Sequence, residues 1–141
     1  MTAPAASRFS PRTVDAALAL LRIVTGLLFM QHGVQKLFGL LLVPGGPPMP
    51  LAAPLSQSWI AGVLELVGGP LIVLGLFTRP VAFLLSGEMA VAYFQVHAKR
   101  GFFPIMNRGE LPVLFCFIFL YFVASGAGAY SLDGWWSRRN R

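Results

Sequence analysis

The sequence is short of charge, shorter still of acid, and nearly without cysteine. Of its 141 residues, 11% are Asp, Glu, Lys or Arg, and five are acidic. A soluble domain carries about 25% charged residues. With 56% hydrophobic residues and a mean hydropathy of +0.70, the chain has too little polar surface to cover itself in water. A monomeric soluble domain is thereby excluded, and the membrane class is the first reading. The single cysteine, Cys116, lies in the apolar run LFCFIFLYF, where it reads as a small buried hydrophobe. One thiol closes no intrachain disulfide and no CxxC spacing exists, so self-contained dithiol redox chemistry and a thiolate metal site are excluded, and no metal is expected. The amino-terminal apolar stretch is too long for a secretory signal, Arg22 interrupts it, and no small-x-small cleavage site follows. It reads as a retained first span.

What the chain has is apolar length. A bilayer core of about 30 Å takes roughly 20 helical residues. Four segments meet that need, at about 14–39, 57–77, 80–98 and 110–129. Pro80 and Pro112 fall in first turns, where a missing N–H costs little. The fold class expected is an all-α membrane protein, an antiparallel four-transmembrane-helix bundle. It divides into a tail at 1–13, a transmembrane domain at 14–133 and a basic tail at 134–141. The link at 41–56 is rich in Pro and Gly and carries no charge, which excludes regular helix. The turn FTRP is so short that the second and third helices must be antiparallel neighbours. Glycines 62, 68, 69 and 75 in the second helix mark close helix contacts.

The net charge of +6 sits at the ends of the apolar runs, which suits lipid headgroups and topology signals better than nucleic acid. Six basic residues (Arg8, Arg12, Arg79, Arg138, Arg139 and Arg141) fall on one side and four (Lys36, Lys99, Arg100 and Arg108) on the other. That bias places both termini in the cytoplasm of a multi-pass inner-membrane protein.

Ionisable residues inside the spans are costly and should face the interior and pair. At about 1.5 Å rise per residue, Arg22 lies about 9–12 Å, Glu88 about 12–14 Å and Glu65 about 18 Å from the cytoplasmic edge. They are expected to form one midplane ion-pair network, Arg22 reaching both carboxylates with its forked donors. Nearer the opposite surface, His32 and Lys36 are four residues apart on one face. His97 ends the third helix and Glu110 begins the fourth at a similar level. These four make a candidate polar pocket, with donors suited to proton exchange. Gln95 shares the face of Glu88 and reads as an interhelical hydrogen bond. On an ideal helix His97 points about opposite Glu88, so both face inward only if the third helix turns or unwinds near its end.

The elements LRIVTGLLFMQHGVQKLFG, LELVGGPLIVLGLFTRP, GEMAVAYFQVH, GFFPIMNRGELPVLF and SGAGAYSLD, in this order over about residues 18–133, resemble the DoxX family. The resemblance implies a four-helix bundle in the bacterial inner membrane and a link to quinone redox chemistry. Its characteristic polar positions fall here on Arg22, His32, Lys36, Glu65, Glu110 and Asp133. The larger relatives have an extra domain that this chain lacks. Four functions stay open: a membrane subunit or scaffold for a soluble or membrane redox partner, a quinone- or quinol-binding oxidoreductase component, a haem held between His32 and His97, and a small transporter acting as a homo-oligomer. The bilayer is a partner in all of them, and the cofactor to look for is a quinone.

Overall fold

The computed structural model describes residues 10–46 and 49–140, and among them all regular structure is helical. Residues 1–9, 47, 48 and 141, with Arg8 and Arg141 of the charge count, lie outside the described residues. Helix α1 (Pro11–Phe38) starts at Ser10, whose side chain accepts from Thr13 N, and stops at Gly39 in the left-handed region. Helix α2 (Gln57–Leu74) is capped in the same way by Ser56 and ends at Gly75, φ 65°. Helix α3 (Thr78–Ala92) follows at once and runs on as a π-helical turn (Tyr93–His97) and a 3-10 turn (Ala98–Arg100). The short α4 (Pro104–Asn107) leads into α5 (Glu110–Ser125), and α6 (Leu132–Arg139) closes the chain.

Glycine sets how α1 lies on α2. A Cβ added to Gly33 would sit 2.6 Å from Leu66 N and 2.7 Å from Gly62 O, and one on Gly26 would sit 2.6 Å from Gly69 O. The two backbones touch, which only small residues allow. The register is antiparallel: Gly26 meets Gly69 and Gly33 meets Gly62. Helix α5 runs antiparallel to α3, with Arg79 donating to Val123 O at 2.6 Å and Ser86 Oγ to Cys116 O at 2.9 Å. Between them the core is aromatic. Phe29 of α1 meets Phe115 and Phe119 of α5 edge-on, at centroid distances of 5.2 and 4.8 Å. Leu85, Ile72, Ala82, Met89 and Phe122 join it.

Outward faces are apolar as well, with Leu20, Phe83, Phe94, Leu114 and Phe117 exposed. Such a surface belongs in a lipid bilayer, where helices satisfy their own backbone groups. Three helical stretches, Pro11–Phe38, Gln57–Leu74 and Thr78–Arg100, are long and apolar enough to cross one. The fourth, α5, is apolar but has 16 residues. The sequence reading carried it to 129. It stops at Ser125 because Gly126 and Gly128 take φ of 74° and 75°, a turn that an α-helix cannot continue. The basic tail is likewise a helix, α6, with Trp135 and Trp136 exposed beside Arg138 and Arg139.

Candidate functional site

The buried ionisable residues separate into two groups at opposite ends of the bundle. At one end Arg22 is buried, and its guanidinium donates to main-chain carbonyls: Ala127 O at 2.5 Å, Tyr130 O at 2.8 Å and Val73 O at 3.3 Å. It reaches neither Glu65 nor Glu88, so the expected midplane network is not formed. The glycine register is the physical reason. Gly26 on Gly69 puts Arg22 beside the last turn of α2, about 12 Å along that helix from Glu65. Nearby, Asp133 accepts from Phe77 N and Thr78 N, both at 2.9 Å. The carboxylate caps α3 and holds Phe77 in the left-handed region, φ 49°. The family-implied positions Arg22 and Asp133 thus tie helix ends to loops.

At the other end Lys36 Nζ meets Glu65 Oε1 at 2.6 Å, with Glu65 only 2% exposed. This pair, and not Arg22, compensates the buried carboxylate. It lines a cavity of about 250 Å³ together with His32, His97 and Arg108, walled by Phe29, Met89 and Phe115. Helix α1 supplies His32 and Lys36 at i and i+4, while α2 supplies Glu65. His97 arrives because α3 widens to a π-turn over Tyr93–His97. An inserted π-turn rotates the side chains beyond it, and such turns recur at functional sites. An ideal helix would have aimed His97 away from the face of Glu88.

The ring of His97 is held as well as aimed. Nδ1 lies 3.1 Å from Asn107 O. A carbonyl only accepts, so Nδ1 carries the proton, and in the neutral ring Nε2 keeps its lone pair. Asn107 is itself buried. Its amide donates to Gly101 O at 2.8 Å, and its Oδ1 accepts from Gly109 N at 2.7 Å. Asn107 and Arg108 are the site residues that sequence reasoning missed. Their signal was the polar Asn-Arg-Gly placed just before the Glu-Leu-Pro that opens α5. Glu110 does not join the pocket. It is exposed at the start of α5, because Leu111, Pro112 and Phe115 give that helix its cavity-facing side.

A second cavity, about 420 Å³, runs between α2 and α3 and is mostly apolar. Gln57 and Gln95 are bonded to each other across it. Glu88 lines it, and so does Lys36, which borders both cavities. Both carboxyl oxygens of Glu88, and Oε2 of Glu65, are buried without a hydrogen-bond partner. Among the described residues no three His, Cys, Asp or Glu side chains gather as a metal-ligand set.

The DoxX family profile matches residues 17–98, more than half of the chain. The chain belongs to the DoxX family. The matched stretch holds Arg22, His32, Lys36, Glu65, Glu88 and His97, while Asn107, Arg108 and Asp133 lie beyond it. A Haemophilus influenzae relative named "Uncharacterized protein" is 50% identical over 125 residues, 82% of this chain and 87% of its own. The "Uncharacterized membrane protein Rv3486" of Mycobacterium tuberculosis is 32% identical, over 84% of this chain and 80% of its own. A Bacillus subtilis protein carrying the name "Putative oxidoreductase CatD" is 26% identical, over 86% of this chain and 88% of its own. No solved structure matches the chain.

Proposed function

We propose that this DoxX protein is the membrane subunit of a redox-linked complex, and that its cavity takes the headgroup of a quinone or quinol. One observation carries the reading: His32, His97 and the Lys36–Glu65 pair converge on one cavity walled by Phe29, Met89 and Phe115. Aromatic walls suit a flat ring, and the few polar groups can orient its oxygens. An ammonium and an imidazole N–H donate to a quinone carbonyl, and a carboxylate or imidazole lone pair accepts from a quinol hydroxyl. Reduction of a quinone takes two electrons and two protons. Imidazole, ammonium and carboxyl groups exchange protons and not electrons, so the reading includes a protein partner that supplies the electrons. The name of the Bacillus relative is in keeping with it.

The same reading places all four long helices across the inner membrane, α5 completing its crossing with the segment that follows Ser125. Both termini face the cytoplasm, and the cavity opens toward the outer side. The test is binding of a short-tail quinone analogue to the purified protein. His32→Ala and His97→Ala should each weaken it, and the double variant should lose less than the sum, because the residues share one ligand. Unchanged binding in both variants would put the ligand elsewhere on the protein, and no binding at all would leave a scaffold without a ligand. Labelling of a cysteine introduced at 45 or 55 by an impermeant reagent in intact cells checks the topology.

A further inference from the structure

The proposed site leaves one buried acid unused. Glu88 lies on α3, and the charged or polar groups facing it come from two helices. Lys36 of α1 lines the same groove, and α2 brings Glu65 to that lysine and Gln57 to the groove. Its own helix adds Gln95, which is bonded to Gln57. Helix α5 gives no ionisable side chain to either cavity. His32, His97 and Arg108 sit in the first cavity, beyond Lys36. Two carboxyl groups therefore share one ammonium, and Lys36 is bonded to Glu65. Three carboxyl oxygens have no donor: Glu65 Oε2 and both oxygens of Glu88. A bare carboxylate in an apolar interior is strongly disfavoured, and such a group is neutralised in place. A proton is the smallest species that can do this, and it needs no room beside the carboxyl.

We propose that Glu65 and Glu88 together hold one exchangeable proton around Lys36, with the α2/α3 groove as its way in. Lys36 borders both cavities, so it links the groove to the cavity of His32 and His97. The proton held on Glu88 passes to the Glu65 carboxylate and from there to a base in that cavity, and a hydronium ion entering past Gln57 and Gln95 reprotonates Glu88 and is left as water. Each step moves one proton, and the charge of the cluster is unchanged once Glu88 is refilled. The use of this proton on a quinone rests on the proposed function; its presence does not.

A lipophilic carbodiimide reads the proton directly, because it adds to a carboxylic acid within the membrane. The acid's proton goes to a carbodiimide nitrogen while a carboxyl oxygen bonds the central carbon, and the adduct rearranges to an N-acylurea with nothing lost. Peptide mass mapping of the intact protein in mild detergent should place the label on Glu88, with labelling that declines as pH rises. Glu65→Gln is the decisive variant. It leaves Glu88 as the one acid beside Lys36, so Glu88 ionises and labelling falls by at least about tenfold. Infrared spectroscopy is the second readout: the stretch of a protonated carboxyl should be present in the native protein and absent in Glu88→Gln. Equal labelling of Glu88 with and without Glu65 would overturn the proposal, as would a carboxyl band unmoved by Glu88→Gln. Neither readout involves a quinone, so failure of the headgroup reading and failure of the proton reading are distinguishable.

Discussion

The two ends of this bundle treat buried charge in opposite ways. At the Arg22 end the terminal nitrogens of the guanidinium bond three main-chain carbonyls, and Asp133 bonds two main-chain amides. Charge there joins helix ends to loops, although Arg22 Nε and Thr78 Oγ1 are buried without a partner. At the Lys36 end one lysine faces two acids, three carboxyl oxygens lack donors, and two histidines border open space. Satisfied polar groups rigidify, while partly satisfied ones mark a place where a ligand or a proton completes the set. The proposed function makes the first end structural and the second a place of exchange, and substitutions should separate them.

The largest effect is expected at the first end. Arg22→Leu strands three carbonyls and should lower stability by about 3 kcal/mol or more, read as thermal unfolding in detergent. Neutralising Glu65 and Glu88 as well should not restore it, since neither acid touches Arg22. Recovery in that triple variant would reinstate the midplane network. Next comes the glycine seam. Gly33→Ala forces a methyl into the backbone of α2 and should cost about 1–3 kcal/mol, whereas Gly87→Ala, inside α3 and in open space, should be neutral or stabilise by up to about 1 kcal/mol. Asp133→Ala removes the cap of α3 and should cost about 1–2 kcal/mol without changing the binding of a quinone analogue. The smallest change in stability belongs to the second end. Glu88→Gln keeps the shape of a protonated acid and should shift stability by less than about 1 kcal/mol, measured in the same unfolding assay. A loss as large as that of Arg22→Leu would make Glu88 structural.

Much of this was legible in the residues. Apolar runs gave the helices, and the four-residue spacing of His32 and Lys36 put both on one face. The partners of the charges were not legible, because depth along a helix depends on how two helices slide past each other. That offset is set by Gly26 and Gly33 against Gly69 and Gly62, and a count of residues from the membrane edge does not contain it. Lys36 consequently replaced Arg22 as the partner of Glu65. The inward turn of His97 needed a break in helical periodicity, and the π-turn supplies it. Glu110 was misplaced because at a helix start one residue's difference turns a side chain by about 100°, and Leu111 holds the inward direction.

The central claim is that a quinone-type headgroup binds at the Lys36 end and nowhere near Arg22. Photolabelling the purified protein with an azidoquinone, followed by peptide mapping, tests it most directly. The account predicts adducts on α1 around His32–Lys36 and on the turn that carries His97, suppressed by excess unlabelled quinone and by His32→Ala. Adducts confined to the Arg22 end or to the lipid-facing surface, or labelling that excess quinone does not suppress, would contradict it.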